Sequence, residues 1–192
     1  KGILVCNIAA SRLILPSPTG FKESIIRIAV GEEYEQHDLL HKLKEIGYRK
    51  VTQVQTQGEF SIRGDILDIF EMSQLEPFRI EFFGDEVDGI RTFEVETQLS
   101  KENQTELTIF PASDILLRER DYIRGQSALE KQISKTLSPI LKSYLEEILS
   151  SFHQKQVHSD SRKFLSLCYD KTWTIFDYIE KDTPVFFDDY QK

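Results

Sequence analysis

The side chains able to do chemistry are few and scattered. Four histidines, His37, His41, His153 and His158, are the candidates for metal ligation and proton transfer. His37 and His41 stand four apart in a helical pattern, a spacing that can hold a cation, but no cysteine or second histidine pair completes a ligand set. They read as solvent-facing polar residues, and no metal site is expected. His153 and His158 are expected in a polar loop and receive no role. "RGD" at 63–65 reads as a hairpin turn in which Gly64 supplies backbone freedom, rather than as an adhesion motif. Near the end of the chain, "VFFDDY" (185–190) places Asp188 and Asp189 after an apolar run, the way the Mg²⁺-binding acidic strand of a nucleotide hydrolase ends. A hydrolase also needs a phosphate-cradling loop, and the sequence holds no G-x-x-x-x-G-K-[ST]. A degenerate acidic strand end and a plain charged terminus remain equal readings. No Ser/His/Asp or Cys/His arrangement is suggested by spacing, so no catalytic residue and no cofactor is assigned.

What remains is a surface. In "EFSIRG" (59–64), Phe60 and Ile62 share one face of an extended chain, and Glu59, Ser61 and Arg63 share the other. "FRIEFF" (78–83) repeats the arrangement, with Phe78, Ile80 and Phe82 opposite Arg79, Glu81 and Phe83. If both strands lie in one sheet with their apolar faces on a helix, Arg63, Arg79, Glu81 and Phe83 gather on one exposed surface. Arginine beside an exposed aromatic is the composition of an interface hot spot. The competing reading turns Phe83 inward, through a bulge at Gly84 or by packing against a flanking domain, and periodicity alone does not choose between the two.

The elements that must position these residues follow from the same patterns. "GILVCNI" (2–8) is a continuous apolar run of the kind buried in a parallel sheet, and "LPSPTG" (15–20) breaks it. "SIIRIAV" (24–30) predicts a strand, and "QHDLLHKLKEIGY" (36–48) predicts a helix with Leu39, Leu40, Leu43 and Ile46 on one side and Gly47 as its stop. "KVTQVQ", "EFSIR", "DILDIF", "FRIEFF", "GIRTFEV" and "ELTIF" alternate apolar and polar residues between the turn-like separators "QG", "RGD", "QLEP", "GDE" and "SKENQ". Together they predict an antiparallel meander with one helix. From about residue 111 the pattern turns helical: "SPILKSYLEEILSSFH" (138–153) starts on Ser138 and Pro139, followed by helical stretches at 161–170 and 172–180 and a strand at 184–189. The fold expected is α/β, with an α+β unit over 22–110 inserted between two pieces of an α/β domain, 1–21 and 111–192.

Composition narrows the function. The chain has 192 residues, 40% hydrophobic and 29% charged, with 13 Phe and 7 Tyr, which is far too apolar and aromatic for a disordered tail. A net charge of −8 and a pI near 5.1 disfavour binding to nucleic acid or a membrane surface and favour a protein partner. No run approaches the roughly 20 apolar residues of a membrane span. Cys6 and Cys168 lie far apart, each in an apolar run, and are expected as buried free thiols, which favours the cytoplasm. The chain opens on Lys1 directly before one apolar run and stops just after another, the pattern of a piece of a longer protein.

"GEFSIRGDILDIF", "PFRIEFFGDEVDGIRTFEVETQ" and "LTIFPAS", in that order, resemble the UvrB-homology region shared by the excision-repair protein UvrB and the transcription-repair coupling factors. The likeness extends to "GILVCNI" before them and to "FLSLCYD" and "IFDYIEKDTPVFFDDY" after them. UvrB carries several arginines where this chain reads "VQTQGEFSIRG", and a "GIENYSRH"-like segment where it reads "LCYDKTWTIFDYI", so the closer resemblance is to the coupling factors. That resemblance implies a noncatalytic UvrA-binding domain set into a RecA-like α/β domain present only in part, without a working ATPase. The family's UvrA-contacting positions fall on Arg63, Arg79 and Phe83, with Glu81 the acidic neighbour. It further implies that a C-terminal domain of the parent masks this surface until activation, and that RNA polymerase and DNA are bound elsewhere in the parent. The alternatives are the matching part of UvrB itself, a nucleotide hydrolase using Asp188 and Asp189, and direct DNA binding, which the acidic charge disfavours.

Overall fold

A computed structural model describes residues 3–155 and 159–186. Residues 19–116 form one compact unit and the two flanking stretches form a second. Two short helices, α1 (Ile8–Ser11) and α2 (Pro18–Glu23), precede the first strand.

The unit spanning 19–116 is an α+β fold. Strand β1 (Ile26–Ala29) pairs antiparallel with β8 (Glu106–Ile109), Ile26 opposite Ile109. Helix α3 (Gln36–Glu45) buries Leu39 and Leu43, one helical turn apart. Its end is a Schellman motif: the Tyr48 N–H donates to the Leu43 carbonyl and the Gly47 N–H to that of Lys44. Gly47 holds φ +97, and a Cβ there would lie 2.5 Å from Ser113 Cβ, so both backbone and space demand glycine.

The larger sheet runs β2-β3-β4-β5-β6-β7. Its strands are β2 (Arg49–Lys50), β3 (Glu59–Arg63), β4 (Ile66–Ile69), β5 (Phe78–Phe83), β6 (Glu86–Phe93) and β7 (Ser100–Gln104). Strands β3 to β6 form the expected antiparallel meander, β7 extends it, and β2 lies parallel to β3. One face carries Phe60, Leu67, Ile69, Phe78, Ile80, Phe82, Val87 and Ile90, which pack with Leu39, Leu43 and Ile46 and with Ile28, Leu107 and Ile109 into the main core. Burial of each such side chain contributes roughly 1.5–3 kcal/mol, so this face sets the register of the whole sheet.

Three expectations fail in this unit: "ELTIF", expected in the meander, is β8 and pairs with β1 in a separate two-stranded sheet. "KVTQVQ" (50–55) is strand only at Lys50, the end of β2, because the chain then leaves the sheet edge and crosses its second face, where the Thr52 carbonyl accepts from Ser61 Oγ. "SKENQ", expected as a separator, is β7, with Asn103 opposite Arg91 and Ser100 opposite Phe93. A solvated edge strand has no core face to mark it with apolar alternation, and charged side chains there discourage pairing with other chains.

In the flanking unit, helices α4 (Glu119–Lys135) and α5 (Pro139–His153) pack through Leu129, Leu145, Ile148 and Phe152. Ser138 caps α5 by accepting from the Leu141 N–H, as its sequence predicts. Helix α4 escapes the sequence patterns because its inward stripe is narrow, with Leu129 and Gly125 buried between charged and polar neighbours. A Cβ on Gly125 would sit 2.7 Å from Cys168 Sγ. Residues Ser159–Phe164 form a 3₁₀ turn leading into α6 (Leu165–Cys168).

Several expectations are corrected here. Residues 3–7 form no strand, and Ile3 is 94% exposed. A strand buried in a parallel sheet needs hydrogen-bonded neighbours, and among the described residues this unit pairs only Leu15 with Trp173, as an isolated bridge. Cys6 is therefore exposed, whereas Cys168 is buried and its thiol pKa is pushed up to about 12 by burial. The stretch 172–180 holds only a 3₁₀ turn, Ile175–Tyr178. Residues 184–186 carry no strand, and Asp188 and Asp189 lie outside the described residues, as does His158. His153 ends α5 instead of lying in a loop.

Candidate protein-interaction surface

The second face of the larger sheet is built by the same alternation as the core face. Register places Ser61, Asp68, Arg79, Arg91 and Asn103 in one row across five strands, and Arg63, Ile66, Glu81 and Gly89 in the next. Two tight hairpins close the rows at one end. Arg63 faces Ile66 across Gly64–Asp65, and Phe83 faces Glu86 across Gly84–Asp85. Gly64 and Gly84 hold φ +60 and +66, the positive value that a two-residue II′ turn demands of its first central residue.

The far end of this face is covered. Val54, Phe70 and Phe93 pack with Val51 and Val95 into a small second core. Beside it the Glu59 carboxylate is buried, which alone would raise its pKa. The amides of Gln55 and Thr56 and the Arg49 guanidinium outweigh that burial and hold it below its ordinary range.

Asp68 stands where covered and open ends meet. It is 2% exposed, and both its oxygens accept from arginines. Arg79 pairs side-on, Nε to Oδ1 at 2.7 Å and Nη2 to Oδ2 at 3.0 Å. Arg63 Nη2 reaches Oδ2 at 2.9 Å. Arg79 also donates from Nη1 to the Gln98 carbonyl at 3.1 Å and lies 4.8 Å from the centroid of the Phe93 ring. The hydrogen bonds to Asp68 raise the Arg79 pKa above its already high ordinary value.

The four residues expected to share an exposed surface are thus on one face but differ in access. The Arg79 side chain is 14% exposed and spends its donors internally, whereas that of Arg63 is 56% exposed. Glu81 is half-buried and pairs with Arg91 at 3.2 Å. Phe83 is 81% exposed. A bulge does occur, but it lies opposite Glu81 and Phe82, where Asp88 is the extra residue of β6. Gly84 stays in its turn, and Phe83 keeps its outward direction. Sequence reasoning missed Asp68, Ile66 and Arg91. The signal was present: in "DILDIF" Ile66, Asp68 and Phe70 alternate with Leu67 and Ile69, as Arg79, Glu81 and Phe83 do with their own neighbours.

What the open end offers is an aromatic anchor, an edge aliphatic at Ile66, and cations at Arg63 and Arg91 around a carboxylate. That is the chemistry of docking a protein. Among the described residues, no group of three or more His, Cys, Asp or Glu is placed to hold a metal ion, and His41 lies against Glu45. Among the same residues no helix is long and apolar enough to cross a membrane.

Residues 26–114 match the model of the UvrB interaction domain. Along essentially its whole length the chain is similar to proteins named transcription-repair-coupling factor. It is 33% identical to the one from Bacillus subtilis over 99% of this chain, 34% identical to that of Staphylococcus haemolyticus over 100%, and 31% identical to that of a Staphylococcus aureus strain over 100%. In each case the chain spans 17% of the relative's length.

Proposed function

We propose that this chain is the noncatalytic part of a bacterial transcription-repair coupling factor that docks the damage sensor UvrA and so brings excision repair to stalled transcription complexes. The observation that carries the reading is the placement of Phe83, a large apolar ring 81% exposed at a tight hairpin on the sheet face that also carries Arg63 and Glu81. The family match over 26–114 and the named relatives support it. In this reading Phe83 fills a pocket on UvrA, Arg63 pairs with a carboxylate or carbonyl, Glu81 orients a basic partner group, and Arg79 backs them from within the sheet. RNA polymerase and DNA are bound by other parts of the parent, and its C-terminal domain covers this surface until activation.

The test is titration of UvrA into the purified chain. Wild type binds, and Phe83→Ala weakens binding on the order of thirtyfold, the loss of a central anchor. Unchanged affinity for Phe83→Ala, with circular dichroism and melting intact, sinks the assignment.

A further inference from the structure

The carboxylate of Asp68 lies too deep for a docked protein to touch, yet three guanidinium N–H groups from two neighbouring strands converge on it. A carboxylate offers about four lone-pair sites. Arg79 occupies one on each oxygen in a fork, and Arg63 takes a further one on Oδ2. Arg79 itself is held from two more directions, by the Gln98 carbonyl and the Phe93 ring. The acceptor offered to Arg63 is therefore fixed to the sheet. An arginine on an open surface gives up rotamer freedom when it docks, and Arg63 has surrendered part of that freedom in the unbound protein.

We infer that Asp68 is a positioning residue for partner docking: locked by Arg79, it anchors one Nη of Arg63 and presents the rest of that guanidinium to an acidic or carbonyl-bearing site on the partner. The inference rests on the docking reading above and adds to it a residue that never meets the partner. It also gives Arg79 its place, as the clamp that keeps Asp68 still.

Two measurements test it. Calorimetric titration of UvrA compares wild type, Asp68→Asn, Arg63→Ala and the double variant, since the amide keeps the volume of the carboxylate and removes its charge. Asp68→Asn weakens binding about tenfold when Arg63 is present and less than about twofold when it is already alanine, the signature of coupled residues. Equal losses in both backgrounds overturn the inference, because a merely structural role lowers affinity whatever stands at 63. The second measurement needs neither partner nor variant: ¹⁵N relaxation of the arginine Nε groups in the wild-type chain. Arg63 is expected to be nearly as ordered as Arg79 and clearly more so than the exposed Arg27. Mobility equal to that of Arg27 overturns positioning by Asp68, even if Asp68→Asn does not fold. A wild-type chain that ignores UvrA rejects the docking reading instead, and the relaxation result still decides whether Asp68 holds Arg63.

Discussion

The two ends of one sheet face carry nearly the same residue types and do opposite things. At the covered end Phe70 and Phe93 are buried beneath 51–56, and the Arg79 guanidinium lies over the Phe93 ring. At the open end Phe83 is exposed to solvent, and Arg63, on the same face, is more than half exposed. Strand alternation treats Phe93 and Phe83 alike, as aromatics on the face opposite the core. What separates them is whether another piece of chain returns to cover that part of the face. The segment after β2 does so at one end, and the tight hairpins at Gly64 and Gly84 leave the other end without a covering loop. An arginine on this face is thus held as a brace or left open to solvent according to coverage, and Arg79 and Arg63 are one of each.

The contrast can be broken from its covered side first. Phe93→Ala removes a fully buried ring together with the support under Arg79, and is expected to cost about 3–5 kcal/mol in urea unfolding, typical of buried aromatic truncations. Arg79→Met strips Asp68 of its main partner while keeping most of the packing, and is expected to cost about 2–3 kcal/mol, the range for a buried group that loses charged hydrogen bonds. If Arg79→Met unfolds at the wild-type denaturant concentration, Arg79 is not a brace and the two ends do not differ in this way.

On the open side the prediction inverts. Phe83→Ala is expected to leave unfolding within about 0.5 kcal/mol of wild type, as surface changes do, while it removes most of the UvrA affinity. A substantial stability loss would mean that Phe83 packs at home. The smallest effect expected is in pH. Glu59 has its native pKa depressed below the ordinary 4.5, so its contribution is complete above that value and fades as pH falls through the native one. Glu59→Gln should therefore flatten the acid limb of the stability curve and leave the region above pH 5 with the same slope. An acid limb unchanged by Glu59→Gln assigns that sensitivity to other carboxylates.

Much of this fold is legible in the residues. The helix at 36–45 with its Gly47 stop, the hairpins at Gly64 and Gly84, and strands β3 to β6 follow from local periodicity and turn chemistry, because each needs only neighbours in sequence. Strand β7 was not legible, since a solvated edge carries no apolar alternation. Helix α4 was not, since its inner stripe relies on Gly125 fitting against Phe152 and Cys168. The apolar run at 3–7 misled for the opposite reason: apolar alternation or runs state a preference for burial, and pairing has to come from another strand.

The sequence by itself determined which side of each strand faces the core, and with it that Arg63, Arg79, Glu81 and Phe83 share the other side; the two-residue period of an extended chain leaves no freedom in that. Only the tertiary structure decided which of the four a partner can reach. Access depends on segments distant in sequence, 51–56 and the turn carrying Gln98, which cover one end of the face, and on Asp68, whose carboxylate draws Arg79 inward and leaves Arg63 at the rim.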